Sequence, residues 1–126
     1  MSVLGLGTDI VRVARIADLV DRHGPRFLDR IYRPEEQAVL RRHRAAAAAA
    51  LAARWAAKEA CIKALGIHAS GVPYRDVEVV RRTSGQPELH LHGAARSALE
   101  ALGARWTLVT MSHEHDHAIA TVLLLV

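Results

Sequence analysis

The sequence predicts a single α+β domain spanning residues 1–126. Three observations support this class. The chain is 126 residues long, which suits one compact domain. Its composition, 51% hydrophobic and 24% charged, is that of an ordinary globular protein. The expected element order, βααα-ββ-α-ββ, lacks the strand–helix alternation of a parallel α/β sheet.

The N-terminal part begins with a strand and continues in helices. Residues 3–11 are typical of a buried strand, with small residues that allow close approach of other backbone. Residues 13–21 have one apolar helical face and predict a helix. Pro25 can start a second, short helix over residues 26–31. Pro34 begins another helix, with acidic residues in the first turn, where the helix dipole favours them.

The middle of the chain predicts one long helix. Residues 45–65 are nearly all strong helix formers, and Gly66 follows as a typical residue after a helix end. A helix of this length is roughly 30 Å long, about the width of the whole domain. It is therefore the natural centre of the fold.

The C-terminal part predicts four strands and a short helix. Residues 84–87 have turn chemistry and join two of the strands in a hairpin, and residues 94–102 form the helix, closed by Gly103. The four predicted strands are residues 76–81, 88–92, 105–112 and 118–126.

Charge and cysteine content narrow the class of protein. A formal net charge of +4 and a pI near 10.0 favour an acidic partner or a phosphorylated ligand. The single cysteine, Cys61, excludes an internal disulfide and suits a reducing compartment. There is neither a signal-peptide pattern nor an apolar run long enough for a membrane span, so we expect a cytoplasmic location. Few aromatic residues and no continuous basic stripe argue against nucleic-acid binding.

The central helix carries an unusual group of charges. Glu59 and Lys63 are four residues apart and share a helical face, and Arg54 and Lys58 form a second such pair on an adjacent face. The simplest interpretation is a surface ion pair that contributes only about 0.2–0.5 kcal/mol. Three cations and one acid within an otherwise alanine-rich, tightly packing helix favour a functional site instead.

Asp9 lies where the first strand ends. One carboxylate here and one from the helix could share a hard cation such as Mg²⁺, which binds one or two carboxylates together with phosphate oxygens and water. The alternative is that Asp9 caps the helix that follows.

A histidine-rich segment gives a second candidate site. His113, His115 and His117 alternate along the chain, and on one strand face they would suit zinc in a zinc-dependent hydrolase. The alternative is a polar hairpin turn between two apolar strands, which we favour for His115 and His117.

Segments along essentially the whole chain form a specific combination. They are Gly5-Leu6-Gly7-Thr8-Asp9-Ile10-Val11, Arg15-Ile16, Arg26-Phe27-Leu28-Asp29-Arg30-Ile31, Glu35, Ala53-Arg54-Trp55-Ala56-Ala57-Lys58-Glu59-Ala60, Lys63-Ala64-Leu65-Gly66, Gly85-Gln86-Pro87 and Ser112-His113-Glu114. This combination resembles the holo-acyl-carrier-protein synthase family, the single-domain 4′-phosphopantetheinyl transferases. The resemblance implies their fold, an antiparallel sheet wrapped on a long central helix, in a domain that assembles as a homotrimer.

The resemblance also implies an activity, a metal and partners. The enzymes transfer phosphopantetheine from coenzyme A to a serine of apo-acyl carrier protein and release adenosine 3′,5′-bisphosphate. By the resemblance, Asp9 and Glu59 would hold Mg²⁺, and Glu59 and Lys63 would be the catalytic residues. The other implied roles are coenzyme A binding by Arg54, Lys58, Gly85, Pro87, Ser112 and His113, and carrier-protein docking by Arg15, Arg22 and Arg26. Ser112 and His113 are expected to act on the active site of a neighbouring copy.

Overall fold

The structure is a computed structural model that describes residues 1–42 and 46–126. The strands are β1 (Val3–Arg12), β2 (Val77–Arg81), β3 (Pro87–Leu91), β4 (Trp106–Glu114) and β5 (His117–Leu125). The helices are α1 (Val13–His23), α2 (Pro25–Ile31), α3 (Pro34–Gln37), α4 (Val39–Arg42), α5 (Ala47–Leu65) and α6 (Gly93–Leu102), with 3₁₀ turns at Gly66–Ala69 and Tyr74–Asp76. No helix in the described ranges is long and apolar enough to cross a membrane.

The strands form two separate antiparallel sheets. The larger has three strands in the order β1-β5-β4, and β2 and β3 form a two-stranded hairpin. In the larger sheet, Asp9 pairs with Ala120, which pairs in turn with Met111, and the neighbouring row joins Val11, Ala118 and His113. This register fixes which side chains share a face, because directly opposed residues point the same way.

One face of the larger sheet packs against α5, and two glycines set the closeness of that packing. A Cβ atom on Gly7 would lie 1.9 Å from the carbonyl oxygen of Ala60, and one on Gly5 would lie 2.3 Å from that of Ala64. The strand therefore rests on the helix backbone itself. The alanine-rich composition of α5 serves the same purpose, since it keeps the helix narrow where the sheet covers it.

The opposite face of the sheet carries exposed apolar side chains. Leu6, Ile10, Leu108 and Ile119 are between 43% and 64% exposed, and Trp106 at the end of β4 is 57% exposed. Isolated apolar residues are normal on a protein surface, whereas a contiguous apolar face marks an interaction surface. We call these five residues the outer face.

A buried ion pair attaches the β2–β3 hairpin to α5. The ammonium Nζ of Lys58 lies 2.9 Å from Oε1 of Glu36, and both side chains have 0% exposure. The same ammonium donates hydrogen bonds to the main-chain carbonyls of Tyr74, at 3.2 Å, and Val77, at 2.5 Å. Burial lowers the pKa of Lys58, and the charge and hydrogen bond of Glu36 oppose that shift.

The Glu36 carboxylate uses both of its oxygens. Oε1 also accepts a hydrogen bond from the main-chain N–H of Arg33, and Oε2 accepts one from the main-chain N–H of Val79. The carboxylate thus joins α3, α5 and β2 at one point. Such pairs are tolerated only where surrounding groups satisfy the charges, as they do here.

Most of the predicted elements are confirmed, with small shifts at their ends. The predicted hairpin, the helix break at Pro25 and the end of the long helix at Gly66 all occur. The described part of the long helix begins at Ala47, whereas residue 45, its predicted start, lies outside the described residues. The short helix α4 was not predicted separately. The hairpin forms its own sheet rather than extending the larger one.

Substitution Glu36→Gln should lower the free energy of unfolding by about 3 kcal/mol, because it leaves the Lys58 ammonium buried without its counter-charge. The loss should shrink as the pH rises toward about 10. Burial lets folded Lys58 lose its proton more readily than the unfolded chain, so the unfolded state binds more protons and stability rises with pH. Urea unfolding at several pH values measures both effects.

Glu100→Gln is the matched control, because Glu100 is 65% exposed in a surface pair with Arg96. We expect it to change the free energy of unfolding by less than about 0.5 kcal/mol. Equal losses in the two variants would contradict the importance of the buried pair.

Candidate active site

Asp9 and Lys63 meet at the edge of the sheet formed by β1. The Lys63 ammonium donates to the Thr8 carbonyl at 3.0 Å and lies 3.3 Å from Oδ1 of Asp9. The side chain of Asp9 is only 15% exposed, whereas that of Lys63 is 54% exposed. The carboxylate is thus sheltered at the base of the site, and the ammonium reaches toward solvent.

The electrostatics of Asp9 disfavour its charged form. Burial raises the pKa of Asp9, and the nearby charge of Glu59 raises it further, although Lys63 and Arg15 act in the opposite direction. Two carboxylates therefore lie close enough to repel, even with an ammonium beside one of them. A divalent cation would relieve that repulsion.

Glu59 lies on α5 and faces the 3₁₀ turn that precedes β2. Its Oε1 accepts a hydrogen bond of 2.6 Å from the Tyr74 hydroxyl. Burial raises the pKa of Tyr74 to about 12, with further contributions from the hydrogen bond and the charge of Glu59. At neutral pH the phenol is therefore a hydrogen-bond donor. Lys63 pairs with Asp9, and Glu59 accepts a hydrogen bond from Tyr74, so the alternative interpretation of a surface ion pair between Glu59 and Lys63 is not supported.

An aromatic wall stands beside the carboxylates. The Tyr74 ring lies 5.1 Å from that of Trp55, which in turn stacks on Phe27 at 6.1 Å. The guanidinium carbon of Arg15 lies 5.5 Å from the Trp55 ring centroid, a cation–π contact. Arg15, expected on a docking surface, therefore also borders the active site.

Lys58 requires a correction. It was expected to contact a phosphate of coenzyme A, but it is fully buried and bonded to Glu36 and two carbonyls. A ligand phosphate has no access to that ammonium. The helical period correctly places Lys58 and Glu59 on different faces of α5. It cannot show that the face with Lys58 points into the protein interior.

Arg54 is largely buried on the N-terminal half of α5. It is 7% exposed, and its guanidinium donates to the Ala50 carbonyl at 3.1 Å. It also lines a cavity of about 570 Å³ together with Glu78 and Arg81.

The other residues expected at coenzyme A lie away from the carboxylates. Gly85, with φ 89°, forms the tip of the β2–β3 hairpin, and Pro87 lines a groove between that hairpin and β4. Ser112 and His113 are exposed at the far end of β4. Because β1 and β4 are opposite edges of the larger sheet, β5 lies between Asp9 and these two residues of β4. Ser112 and His113 also point to opposite faces, with His113 on the face that carries Asp9.

The three arginines expected to dock the carrier protein lie on the first two helices. Arg15 and Arg22 are seven residues apart on α1 and therefore share a face. Arg22 is exposed and pairs with Asp18 at 3.4 Å. Arg26, on α2, lines a shallow surface pocket with His23, Phe27 and Arg30. Arg26 and Arg30 thus line one surface pocket with the aromatic side chain of Phe27.

The alternative sites are not supported. His115 lies in the turn between β4 and β5 with φ 51°, His117 opposes Glu114, and His113 lies on the other face. Across residues 1–42 and 46–126 no group of three or more His, Cys, Asp or Glu side chains could hold a metal ion. The polar hairpin turn is confirmed. Asp9 is not a helix cap either, because the residue that precedes α1 is Arg12.

The donors at the site fit a hard cation. Asp9 and Glu59 supply two carboxylates, and Mg²⁺ typically takes one or two carboxylates and completes its coordination with water and substrate phosphates. In this structure, burial and the nearby charge of Glu59 both disfavour the charged form of Asp9. A cation between the two carboxylates would stabilise that charged form.

Comparison with known proteins identifies the family. Residues 5–122 match the 4′-phosphopantetheinyl transferase superfamily. The chain is 47% identical over 123 residues to the holo-[acyl-carrier-protein] synthase of Halorhodospira halophila, covering 97% of each protein. It belongs to the holo-acyl-carrier-protein synthase family.

Solved structures of that family share its fold. The synthase from Neisseria meningitidis superposes with a TM-score of 0.84 at 32% identity, covering 98% of each chain. The Helicobacter pylori synthase in complex with coenzyme A gives a TM-score of 0.80 at 26% identity, covering 94% of this chain and 98% of that one. The expected fold is confirmed.

Two contributors to the site were missed from the sequence. Tyr74 was not singled out, because one tyrosine after a proline in a loop carries no recognisable signal. Glu36 was interpreted only as a first-turn acid, and its partner Lys58 is 22 residues away in sequence. No local pattern pairs such residues.

Asp9→Asn should raise the free energy of unfolding at pH 7, by on the order of 1 kcal/mol, since functional groups are often kept at a cost in stability. The folded-state pKa of Asp9 lies above the unfolded value, so the charged carboxylate destabilises the fold at neutral pH. The gain should disappear as the pH falls below the unfolded value of 3.8. Asp18→Asn, at a 60% exposed carboxylate, is the control and should give no gain. A destabilised Asp9→Asn variant would contradict this account.

Proposed function

We propose that this chain transfers 4′-phosphopantetheine from coenzyme A to a serine of an apo-acyl carrier protein. The serine oxygen attacks the pantetheine-bearing phosphorus, the bond from that phosphorus to the bridging oxygen breaks, and adenosine 3′,5′-bisphosphate leaves. The observation that carries the proposal is the meeting of Asp9, Glu59 and Lys63 at one sheet edge. Membership of the family makes the reaction the expected chemistry of that site.

Asp9 and Glu59 are the residues that would hold Mg²⁺. When bound, the ion would supply positive charge that offsets the charge of the pyrophosphate oxygens. The shelter of Asp9 serves this role, because a carboxylate that is poorly solvated interacts more strongly with a cation.

Lys63 and Glu59 would act on the two ends of the reaction. The Lys63 ammonium is half exposed and anchored by the Thr8 carbonyl, so it can contact a phosphate oxygen and stabilise the leaving group. Glu59, or a water that it orients, would accept the proton of the attacking serine. The two side chains are one helical turn apart, which suits a single pyrophosphate.

Coenzyme A would span several surfaces. Arg54, in its cavity, suits one of the phosphates, and Gly85 with Pro87 would form a wall beside the nucleotide. Ser112 and His113 would serve the phosphates from the β4 edge. Lys58 is not part of this binding site, since it is buried.

Arg15, Arg22 and Arg26 would dock the carrier protein. Acyl carrier proteins are acidic, so a basic patch would steer and orient them. Phe27, which lines the same surface pocket as Arg26, would add an apolar contact beside that arginine. The partners of the enzyme are therefore coenzyme A and the apo-carrier protein, and we place the reaction in the cytoplasm.

The active site is proposed to form between copies of the chain in a homotrimer. Within one chain, Asp9 and His113 lie on the two outer strands of the sheet, with β5 between them and α5 packed on the same face. A site that uses both edges is more simply built from two chains. The outer face, with its exposed Leu6, Leu108 and Trp106, offers the apolar area that such an assembly would bury.

Intact mass spectrometry tests the activity. An apo-acyl carrier protein incubated with the chain, coenzyme A and Mg²⁺ should gain one phosphopantetheine group. Glu59→Gln and Asp9→Asn should each slow the gain by about 100-fold or more, because a charged oxygen at the reacting phosphates is lost. Glu100→Gln, the same change on exposed α6, should match the wild type. No mass gain with the wild-type chain would overturn the function, whereas full rates in the first two variants would overturn only the site.

Mixed assemblies test the shared site. Glu59→Gln and His113→Ala chains, unfolded and reassembled in equal amounts, should recover about a quarter of wild-type activity, because a quarter of random interfaces join two intact faces. Glu59→Gln mixed with Asp9→Asn is the control and should recover nothing, since both residues come from the same chain. Activity no greater than that of the separate variants in the first mixture would contradict the two-chain site.

A further inference from the structure

The Tyr74 hydroxyl is bound to a catalytic carboxylate but comes from outside the catalytic helix. It donates to Oε1 of Glu59 at 2.6 Å, a short hydrogen bond of the kind that charged acceptors form. Tyr74 begins the 3₁₀ turn Tyr74–Asp76, directly before β2. The contact therefore joins the hairpin side of the molecule to the active site.

Tyr74 is itself held firmly. Its main-chain carbonyl accepts a hydrogen bond from the buried Lys58 ammonium at 3.2 Å. Its ring packs on that of Trp55, with centroids 5.1 Å apart. The backbone and the ring of Tyr74 are thus held by two residues of α5, at positions 55 and 58, in the helical turn just before Glu59. A hydroxyl presented in this way has a defined position.

Glu59 needs such a partner. A glutamate has three side-chain torsions, and the helix backbone fixes none of them beyond excluding one χ1 rotamer. Among the residues that the structure describes, Tyr74 supplies the one hydrogen bond to the Glu59 carboxylate. The bond holds Oε1 at Tyr74, whereas Oε2 accepts no hydrogen bond from the residues that the structure describes and is the oxygen more available to a cation.

We propose that Tyr74 is a positioning residue, whose hydroxyl holds Oε1 of Glu59 so that the other carboxylate oxygen is presented to the metal beside Asp9. The inference rests on the proposed function, because it assigns a partner to the carboxylate that would hold Mg²⁺. Partners that orient ligating groups commonly change metal affinity by about 10–100-fold when they are removed. Tyr74 would belong to this class although it touches neither metal nor substrate.

Tyr74→Phe isolates the hydroxyl, because the ring and the main-chain carbonyl remain. Binding of Mn²⁺ to the full chain in the presence of coenzyme A, followed through the electron paramagnetic resonance signal of free Mn²⁺, should weaken about tenfold. The concentration of Mg²⁺ that gives half-maximal transfer should rise by a similar factor, while the rate at saturating Mg²⁺ changes less. A merely structural role would not shift the metal dependence in this way.

Tyr32→Phe is the matched control. Its hydroxyl is also lost from a hydrogen bond, to the Leu51 carbonyl of the same helix at 2.8 Å, but at a buried position away from the carboxylates. We expect it to lower the melting temperature without changing Mn²⁺ affinity. An equal loss of Mn²⁺ affinity in both variants would show a general effect of the helix and overturn the proposal.

The remaining outcomes are also decisive. Unchanged Mn²⁺ affinity in Tyr74→Phe would overturn the proposal. Tighter Mn²⁺ binding would also overturn it, because it would show that the Tyr74 hydroxyl competes with the metal for the Glu59 carboxylate. A crystal structure of the variant with Glu59 in its original rotamer would contradict it independently of any affinity. If the wild-type chain bound Mn²⁺ with coenzyme A but transferred nothing, the proposed function would fail while the positioning of Glu59 could still be measured.

Discussion

The arrangement of the molecule depends on the buried ion pair between Lys58 and Glu36. Removing two charges from water costs several kcal/mol per ion, and the pair is tolerated because main-chain groups satisfy both charges. Apolar packing alone would fix the rotation of an alanine-rich helix only weakly. The ion pair opposes rotation of the helix, because turning α5 would separate the Lys58 ammonium from Glu36 and from the two carbonyls that it binds. Glu59, the next residue, is thereby turned about 100° away, toward Tyr74.

A second constraint acts from the other side of α5. Gly5 and Gly7 let the backbone of β1 contact the backbone of α5 directly. Any other residue type at these two positions would place a Cβ atom against the helix backbone. The strand is thereby held in one register along the helix, and Asp9 arrives next to Lys63. The buried ion pair on one side of α5 and the close packing of β1 on the other side thus define where the carboxylates of Asp9 and Glu59 lie. Neither constraint involves a residue that performs the chemistry.

The sequence contains most of the fold but only part of the site. The long helix and the hairpin follow from local signals, because helix formers and turn residues act over a few positions. The grouping of Asp9, Glu59 and Lys63 follows from the family resemblance, since their contacts join residues up to 54 apart. The burial of Lys58 could not be predicted, because lysine is almost never fully buried unless paired and its partner lies on a separate helix. The position of Tyr74 likewise depends on a contact between residues distant in sequence, because its main-chain carbonyl accepts a hydrogen bond from Lys58.

The continuity of β1 and α1 couples two parts of the proposed reaction. Asp9 lies three residues before the end of β1, and α1 follows without a loop, so Arg15 lies in the first turn of the helix that continues the strand. Arg15 also makes a cation–π contact with Trp55, whose ring packs against that of Tyr74, so α1 contacts the aromatic wall beside Glu59. Under the proposed function, a carrier protein bound to α1 therefore touches elements that already hold both carboxylates. Under this proposal, docking and chemistry would depend on the same packed elements, so that a site at a sheet edge could orient a serine carried by another protein.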